Sequence, residues 1–289
     1  MEVYDYMFSI IIPHKNCVEL LRRCLDSIPK RDDLQVIVVD DDSDPRQVDF
    51  SHFPGLNERN VNVIFTKEGK GAGFARNVGM WYATGKWLLF ADADDYYTCE
   101  FVKLINQLER CENIDIVYFD AESENQRAKS LNEAMAAYFH SGGTKEMNTV
   151  KYNCWVPWNK AFSHSYIDSL NLKWEEIKIG NDAKFVLLAG YYSQKVKVVN
   201  LKCYMHTFNP SGITYHKKTF SEEYGMIPLG MNIVNFLRYV DMPWQGYFRA
   251  LFNLRRFIIF ARLYGFVDSI RYFSKILYYL ARNRTFLPK

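Results

Sequence analysis

The sequence predicts an α/β fold: a mostly parallel sheet flanked by helices, with a helical extension at the C-terminus. Three observations predict it. Short runs at residues 8–12, 36–39 and 87–91, apolar apart from Ser9, read as strands buried on both faces, as in parallel sheets. Stretches of helical periodicity separate them, so strand and helix alternate through residue 120. Beyond residue 221 only helical periodicity remains.

The first strand, FSIII at 8–12, ends at Pro13, and His14-Lys15-Asn16 forms the loop after it. Leu20, Leu21, Cys24, Leu25 and Ile28 then fall at helical spacing. The second strand, VIVV at 36–39, runs into Asp40-Asp41-Asp42-Ser43. A polar connection over 51–60 leads to a third strand at 61–65. Gly69, Lys70, Gly71 and Gly73 make a basic, glycine-rich loop before a helix predicted over 75–83. The fourth strand stops abruptly in Asp92-Ala93-Asp94-Asp95. A helix over 99–110 and a strand over 114–119 complete this half. Residues 122–151 are polar and weakly periodic, a helix and loop packed on the core. An aromatic loop, Trp155-Val156-Pro157-Trp158-Asn159-Lys160, precedes a helix over 163–170. Gly180-Asn181-Asp182 leads into an apolar helix over 183–189. A strand over 196–199 then comes before Tyr204-Met205-His206 and the loop Asn209-Pro210-Ser211-Gly212.

The net charge of +3 conceals an asymmetry. From residue 245 to 289 nine Lys and Arg face one acid, Asp268, so this segment carries +8 and the remainder −5. Within it Ile270, Phe273, Leu277 and Leu280 fall at helical spacing, with Arg271, Lys275 and Arg282 on another face. Such a basic amphipathic helix either docks its apolar side onto the body or meets an anionic membrane surface. The six cysteines show no CxxC pair and no metal-ligand spacing, so they read as reduced thiols. The N-terminus lacks the basic and apolar regions of a signal peptide. No apolar run approaches the ~20 residues that cross a bilayer. A cytoplasmic location is therefore expected, peripheral at the inner face of the membrane if the basic helices bind it. Nucleic acid is not an expected partner.

The chemistry concentrates at residues 66–97. Carboxylates just past a buried parallel strand lie at the carboxyl edge of the sheet, where open α/β folds bind ligands. In extended backbone, residues two apart point the same way, so Asp92 and Asp94 face one site with Ala93 between them. Two carboxylates that close repel unless a cation lies beside them, and all-oxygen ligation suits Mg or Mn. Asp41, at the end of another buried strand, is expected to share that ligand, whereas Asp42, Ser43 and Asp44 read as turn residues. The glycine loop is not a dinucleotide fingerprint, because Arg76 stands where a third Gly would be. It is not a P-loop either, since no Gly-Lys-Ser/Thr follows. Its glycines are expected to let the backbone approach a ligand, with Arg76 presented to it from a helix N-terminus. Asp182, just before a helix, has the default reading of an N-cap.

Taken together, FSIIIPHKN, VIVVDDDS, GAGFARNVGMWYATGKWLLFADADD and the later NK…GND elements resemble a family 2 glycosyltransferase over about residues 7–215. The resemblance implies a GT-A fold over 1–215, with a nucleotide-sugar half (1–120) and an acceptor half (121–215). A basic helical region, 216–289, would follow. It implies a non-processive, inverting transfer of sugar from a nucleotide-sugar, of the UDP type, to a glycan or lipid-linked acceptor in cell-surface polysaccharide or lipopolysaccharide synthesis. Pro13, Asn16, Asp41, Gly73, Arg76, Asp92, Ala93 and Asp94 would line the donor site. Asp94 would hold Mn or Mg, and Asp182 would be the catalytic base. His206 stands where some such enzymes supply another metal ligand, an ordinary surface histidine being the alternative. Trp155, Trp158 and Lys160 either border the acceptor or pack in the core. The sequence departs from the family pattern at Lys15, usually aromatic, at Asp42, often Gly, and at Asn181, usually Glu. No Gln-x-x-Arg-Trp is present, which argues against a processive synthase. A sugar nucleotidyltransferase and a non-catalytic carbohydrate-binding protein are the rival readings.

Overall fold

The runs FSIII and VIVV lie in the interior of the sheet because their one polar side chain, Ser9, donates its hydroxyl to Gln35 Oε1 at 2.6 Å. Every residue from 8 to 12 is buried, and so is every residue of Leu34–Asp41. The computed structural model describes residues 5–210, 212, 217–282 and 286–287. Ser211 of the expected loop, the expected boundary at 215, and Arg284 and Lys289 of the basic segment lie outside the described residues.

Among the described residues eight strands form one sheet: β1 (Tyr6–His14), β2 (Leu34–Asp41), β3 (Val61–Thr66), β4 (Gly85–Phe90), β5 (Tyr96–Tyr97), β6 (Ile116–Ser123), β7 (Lys160–Ser163) and β8 (Val196–His206). Their order is β3-β2-β1-β4-β7-β6-β8-β5. Strands β1 to β4 pair in parallel with one another, as expected. β7 runs antiparallel between β4 and β6, so β6 and its parallel neighbour β8 regain the direction of β4. The ends of β1, β2, β3, β4, β6 and β8 therefore share one edge.

The α-helices that accompany these strands are α1 (Val18–Asp26), α2 (Ala72–Tyr82), α3 (Glu100–Leu108), α4 (Lys129–Ser141), α5 (Thr144–Tyr152), α6 (His164–Leu170) and α7 (Ala183–Tyr192). Two differences from the sequence reading bear on the site. The helix expected over 75–83 begins at Ala72, which draws Gly73 into its first turn. The strand expected to stop at residue 199 continues to His206, with irregular pairing opposite Phe119, Asp120 and Ala121. β5 pairs with its far end, Tyr97 opposite Tyr204, which brings β8 beside the acidic turn after β4.

The chain divides into two compact units, Met1–Asn209 and Pro210–Lys289. The second holds α8 (Phe220–Gly225), α9 (Ile227–Tyr239), α10 (Gln245–Leu251), α11 (Leu254–Tyr264) and α12 (Phe266–Arg282) around a core of its own, including Met231, Val234, Phe260, Tyr272 and Ile276. Among the described residues no helix is long and apolar enough to cross a membrane.

An aromatic cluster supports the floor of the site in the first unit. Phe185 of α7 stacks on Trp174, with ring centroids 4.0 Å apart, and meets Phe90 and Phe162 edge to face. Phe90 is the last residue of β4, just before Ala91 and the acidic turn, and Trp174 opens the segment leading to Asp182. Phe185→Ala should leave a cavity at this junction and lower the free energy of unfolding by ~3–5 kcal/mol, read from urea denaturation midpoints.

Candidate active site

The ends of β1 and β2 are bound to each other before any ligand arrives. Cys17 N–H donates to His14 Nε2 at 3.1 Å, which leaves the ring proton on Nδ1, 2.7 Å from Asp40 Oδ2. Burial pushes the Asp40 carboxyl up, but hydrogen bonds from His14 and Ser43 outweigh it and hold it below the usual carboxylate range. Asn16, at φ +56°, donates its N–H to Ser43 Oγ (2.8 Å), and its side-chain oxygen accepts from Asp44 N–H (2.7 Å). Pro13, one residue before His14, is in register with Val39.

Asp41 holds the glycine loop. Its carboxylate accepts from the backbone N–H of Gly71 at 2.5 Å and of Lys70 at 3.2 Å, while Lys15 Nζ donates to its carbonyl at 2.8 Å. Beside it lies a cavity of about 380 Å³ lined by Asp40, Asp42, Ser43, Phe50, Phe65, Thr66 and Lys67. Phe65 stands exposed there, its ring edge-on to Phe50 at 5.3 Å. The sequence reading passed over these two rings, because they lie in a connection and on an edge strand.

Helix α2 clamps the segment from Trp174 to Asn181. A Cβ at Gly73 would stand 2.0 Å from the Glu175 carbonyl oxygen, so the backbone of this chain takes the space that Gly73 leaves. Asn77 receives the Trp174 N–H at 2.8 Å and donates to the Trp174 carbonyl at 3.0 Å. Arg76 is 5% exposed. Its guanidinium lies over the Trp174 ring and donates to Asn181 Oδ1 at 2.6 Å and to Asp92 Oδ1 at 2.7 Å. Asp92, at the end of β4, and Asn181, next to Asp182, thus share one cation.

Asp92-Ala93-Asp94-Asp95 folds as a tight turn closed by the Asp95 N–H on the Asp92 carbonyl, 3.1 Å. Ala93 is buried in it. Each carboxylate has its own partner: Arg76 for Asp92, the Asn209 amide for Asp94 (2.9 Å), and for Asp95 the Tyr204 hydroxyl (3.0 Å) and Thr207 N–H (2.8 Å). Burial, reinforced by the charge of Asp92, raises the Asp94 carboxyl above its ordinary value. Burial with the charges of Asp92 and Asp94 pushes Asp95 up to about 8. Tyr204, Thr207 and Asn209 are neighbours of the acidic turn that no local pattern in the sequence announces.

Asp182 occupies the N-cap position of α7, yet its side chain makes no cap hydrogen bond. The default N-cap reading is therefore corrected: the carboxylate is not committed to the helix. Burial raises it above the usual carboxylate range, and the Arg76 charge opposes that rise. His206 is buried, and its Nδ1 has no hydrogen-bond partner among the described residues. Burial and the Arg127 charge lower its ring, against the pull of Asp92 and Asp94, which favours the neutral form that can ligate. It is not the surface histidine of the alternative reading.

The placement of the acceptor candidates corrects another expectation. Trp158 is 2% exposed and stacks on Tyr204 at 5.1 Å. Lys160, in β7, is 1% exposed and donates to the carbonyls of Val156 (2.7 Å) and Cys154 (3.2 Å) and to the Asn159 side chain. Both pack the core beneath the acidic turn and present nothing to an acceptor. Trp155 is half-buried.

Among the described residues no three His, Cys, Asp or Glu side chains converge as a metal cage. The donor set does suit a cation of the Mg or Mn kind, which takes one or two protein carboxylates and completes its shell with phosphate oxygens and water. Asp94 offers such a carboxylate, and the unpartnered His206 nitrogen is buried within the field of the same acids.

A sequence model of the family described as glycosyl transferase family 2 matches residues 9–167, more than half of this chain. The uncharacterized glycosyltransferase EpsJ of Bacillus subtilis (strain 168) is 24% identical over 224 residues, 72% of this chain and 63% of EpsJ. The PGL/p-HBAD biosynthesis glycosyltransferase of Mycobacterium tuberculosis is 37% identical over 120 residues, 39% of this chain and 46% of that protein. The chain thus spans less than two thirds of either relative. The crystal structure of S. aureus TarS 1–349 in complex with UDP-GlcNAc matches with a TM-score of 0.66 at 20% identity, covering 94% of this chain and 81% of that one. The fold observed is the GT-A type with C-terminal helices that the sequence predicts.

The acidic turn generates a pH test. With an ordinary value of ~3.9 when unfolded, Asp95 makes the folded state bind the extra proton between about pH 4 and about 8. Its stabilising effect is complete below that window and is lost as pH rises through it. In chelating buffer, Asp95→Asn should flatten the fall in Tm across this range relative to the parent protein.

Proposed function

The chain belongs to glycosyl transferase family 2, and on that premise we propose a non-processive, inverting transfer of sugar from a UDP-sugar to a glycan or lipid-linked acceptor in cell-surface polysaccharide synthesis. The Arg76 bridge carries this reading, because it joins the acid that ends β4 to the segment bearing Asp182. Donor diphosphate and acceptor hydroxyl can then meet in one site. The complex of TarS with UDP-GlcNAc supports a UDP-linked donor, and EpsJ supports the glycosyltransferase class.

In this reading the nucleotide lies along the β1–β2 edge between Pro13, Asn16 and Asp41. The cavity beside Asp42 gives the base a ring to lie against, Phe65, in place of the aromatic residue absent at Lys15. Asp94 would hold Mn or Mg, with His206 as a further ligand. When bound, that ion offsets the charge developing on the departing diphosphate. Arg76 and Asp92 keep the diphosphate end of the pocket in register, and Gly73 permits the close passage of the Glu175 backbone over α2. Asp182, raised by burial, accepts the proton of the acceptor hydroxyl as that oxygen attacks the anomeric carbon and the bond to the diphosphate breaks. One displacement inverts the centre and requires no protein nucleophile. The residues of the first unit suffice for this chemistry.

The test is turnover of UDP-sugars with Mn or Mg against a panel of glycan acceptors. Asp182→Asn should lower kcat ~10²–10⁴-fold with little change in donor KM. The acidic limb of the parent pH–rate profile should lie above the ordinary Asp value of ~3.9. Full activity in Asp182→Asn would remove the base assignment. Pyrophosphate release from a nucleoside triphosphate and a sugar phosphate would instead favour the nucleotidyltransferase reading.

A further inference from the structure

We propose that the outward face of α11 and α12 is a docking surface for an anionic lipid bilayer. Both helices already bury apolar side chains inside their own unit: Phe260, Tyr272, Phe273 and Ile276 belong to its core. The apolar residues left over are exposed. Leu254 and Ile258 are one turn apart on α11, and Leu263 lies near its end. Phe266, Ile270 and Leu277 fall in the i, i+4, i+11 row of α12, with exposures of 63%, 45% and 50%. The sequence reading placed Ile270, Phe273, Leu277 and Leu280 on one face. The structure divides them: Phe273 turns inward, whereas Ile270 and Leu277 face solvent.

The basic residues divide in the same way. Arg256 pairs with Glu223 at 2.9 Å and lies over the Phe260 and Tyr272 rings. Lys275 donates to the Tyr224 carbonyl and sits 3.7 Å from that ring centroid. These two cations serve the interior. Arg255, Arg262, Arg271 and Arg282 are exposed beside the apolar rows, and Asp268 is the single acid on either helix. Arginine stems cover apolar surface while their heads reach outward, as at a membrane interface. With no helix able to span a bilayer among the described residues, the geometry suits helices lying in the headgroup plane. The charge favours anionic lipid over a neutral surface.

Co-sedimentation of the full chain with vesicles of phosphatidylcholine, with and without phosphatidylglycerol, tests this. Binding is expected only with the anionic lipid and should weaken at high salt. Arg255→Glu and Arg262→Glu should each lower the partition coefficient at least ~5-fold. Phe266→Asp with Ile270→Asp should abolish what binding survives salt. All four positions are exposed and outside the first unit, so circular dichroism and turnover of soluble substrates should not change. Absence of binding, or equal binding to both vesicle types, overturns the proposal. So does a concentration-dependent dimer, seen by light scattering, that the Phe266→Asp/Ile270→Asp variant dissolves, for the face would then belong to a second copy of the chain.

Discussion

A guanidinium taken out of water must find acceptors, and the first unit is arranged around one that has. Arg76 is nearly fully buried, so its charge requires partners in fixed places. Asp92 provides one from the end of β4, and Asn181 provides the other from the segment before α7. The surrounding devices follow from that requirement. Gly73 lets the Glu175 backbone pass close to α2, Asn77 fixes the Trp174 backbone from both sides, and the Trp174 ring covers the guanidinium. A neutral Asn181 suits this arrangement, because it accepts from Arg76 without adding a fourth acid to the crowd.

The acidic turn shows how three carboxylates coexist within four residues. Each is answered by a different physical device: a cation for Asp92, a neutral amide for Asp94, and burial with two hydrogen bonds for Asp95. Asp94 is left with the least neutralising partner, which is why it suits an incoming cation. Beneath the turn, Lys160 orders the loop that carries Trp158, and Trp158 supports the Tyr204 ring whose hydroxyl reaches Asp95. Residues that contact no substrate in this account still set the shape of the site.

Much of this was legible in the sequence, for local reasons. Strands β1, β2 and β4 are apolar runs bounded by Pro13 or Asp, and any buried strand must look so. Asp41 and Asp92 lie where such runs stop, so the edge they share followed from parallel pairing. What escaped were relations without local period. β7 is four residues long and contains a lysine, buried only because three oxygens from its own loop receive the ammonium. Strand β8 runs on through polar residues to His206, sustained by pairing with β5 and β6 rather than by its own hydrophobicity. Tyr204, Thr207 and Asn209 meet the acidic turn from more than a hundred positions away. Gly73 could be recognised as special from its setting, but whether ligand or chain filled its space depended on Glu175, far along the sequence.

The central claim, that Arg76 couples Asp92 to the segment bearing Asp182, is tested most directly by a double-mutant cycle on folding stability, which needs no knowledge of the substrate. Asp92→Asn and Asn181→Ala are made singly and together, and their unfolding free energies are compared by urea denaturation. Because both side chains bind one buried guanidinium, the account predicts a coupling of about 1 kcal/mol or more between them. Effects that add to within about 0.3 kcal/mol would contradict it, for Asp92 and Asn181 would then be independent neighbours rather than two ends of one bridge.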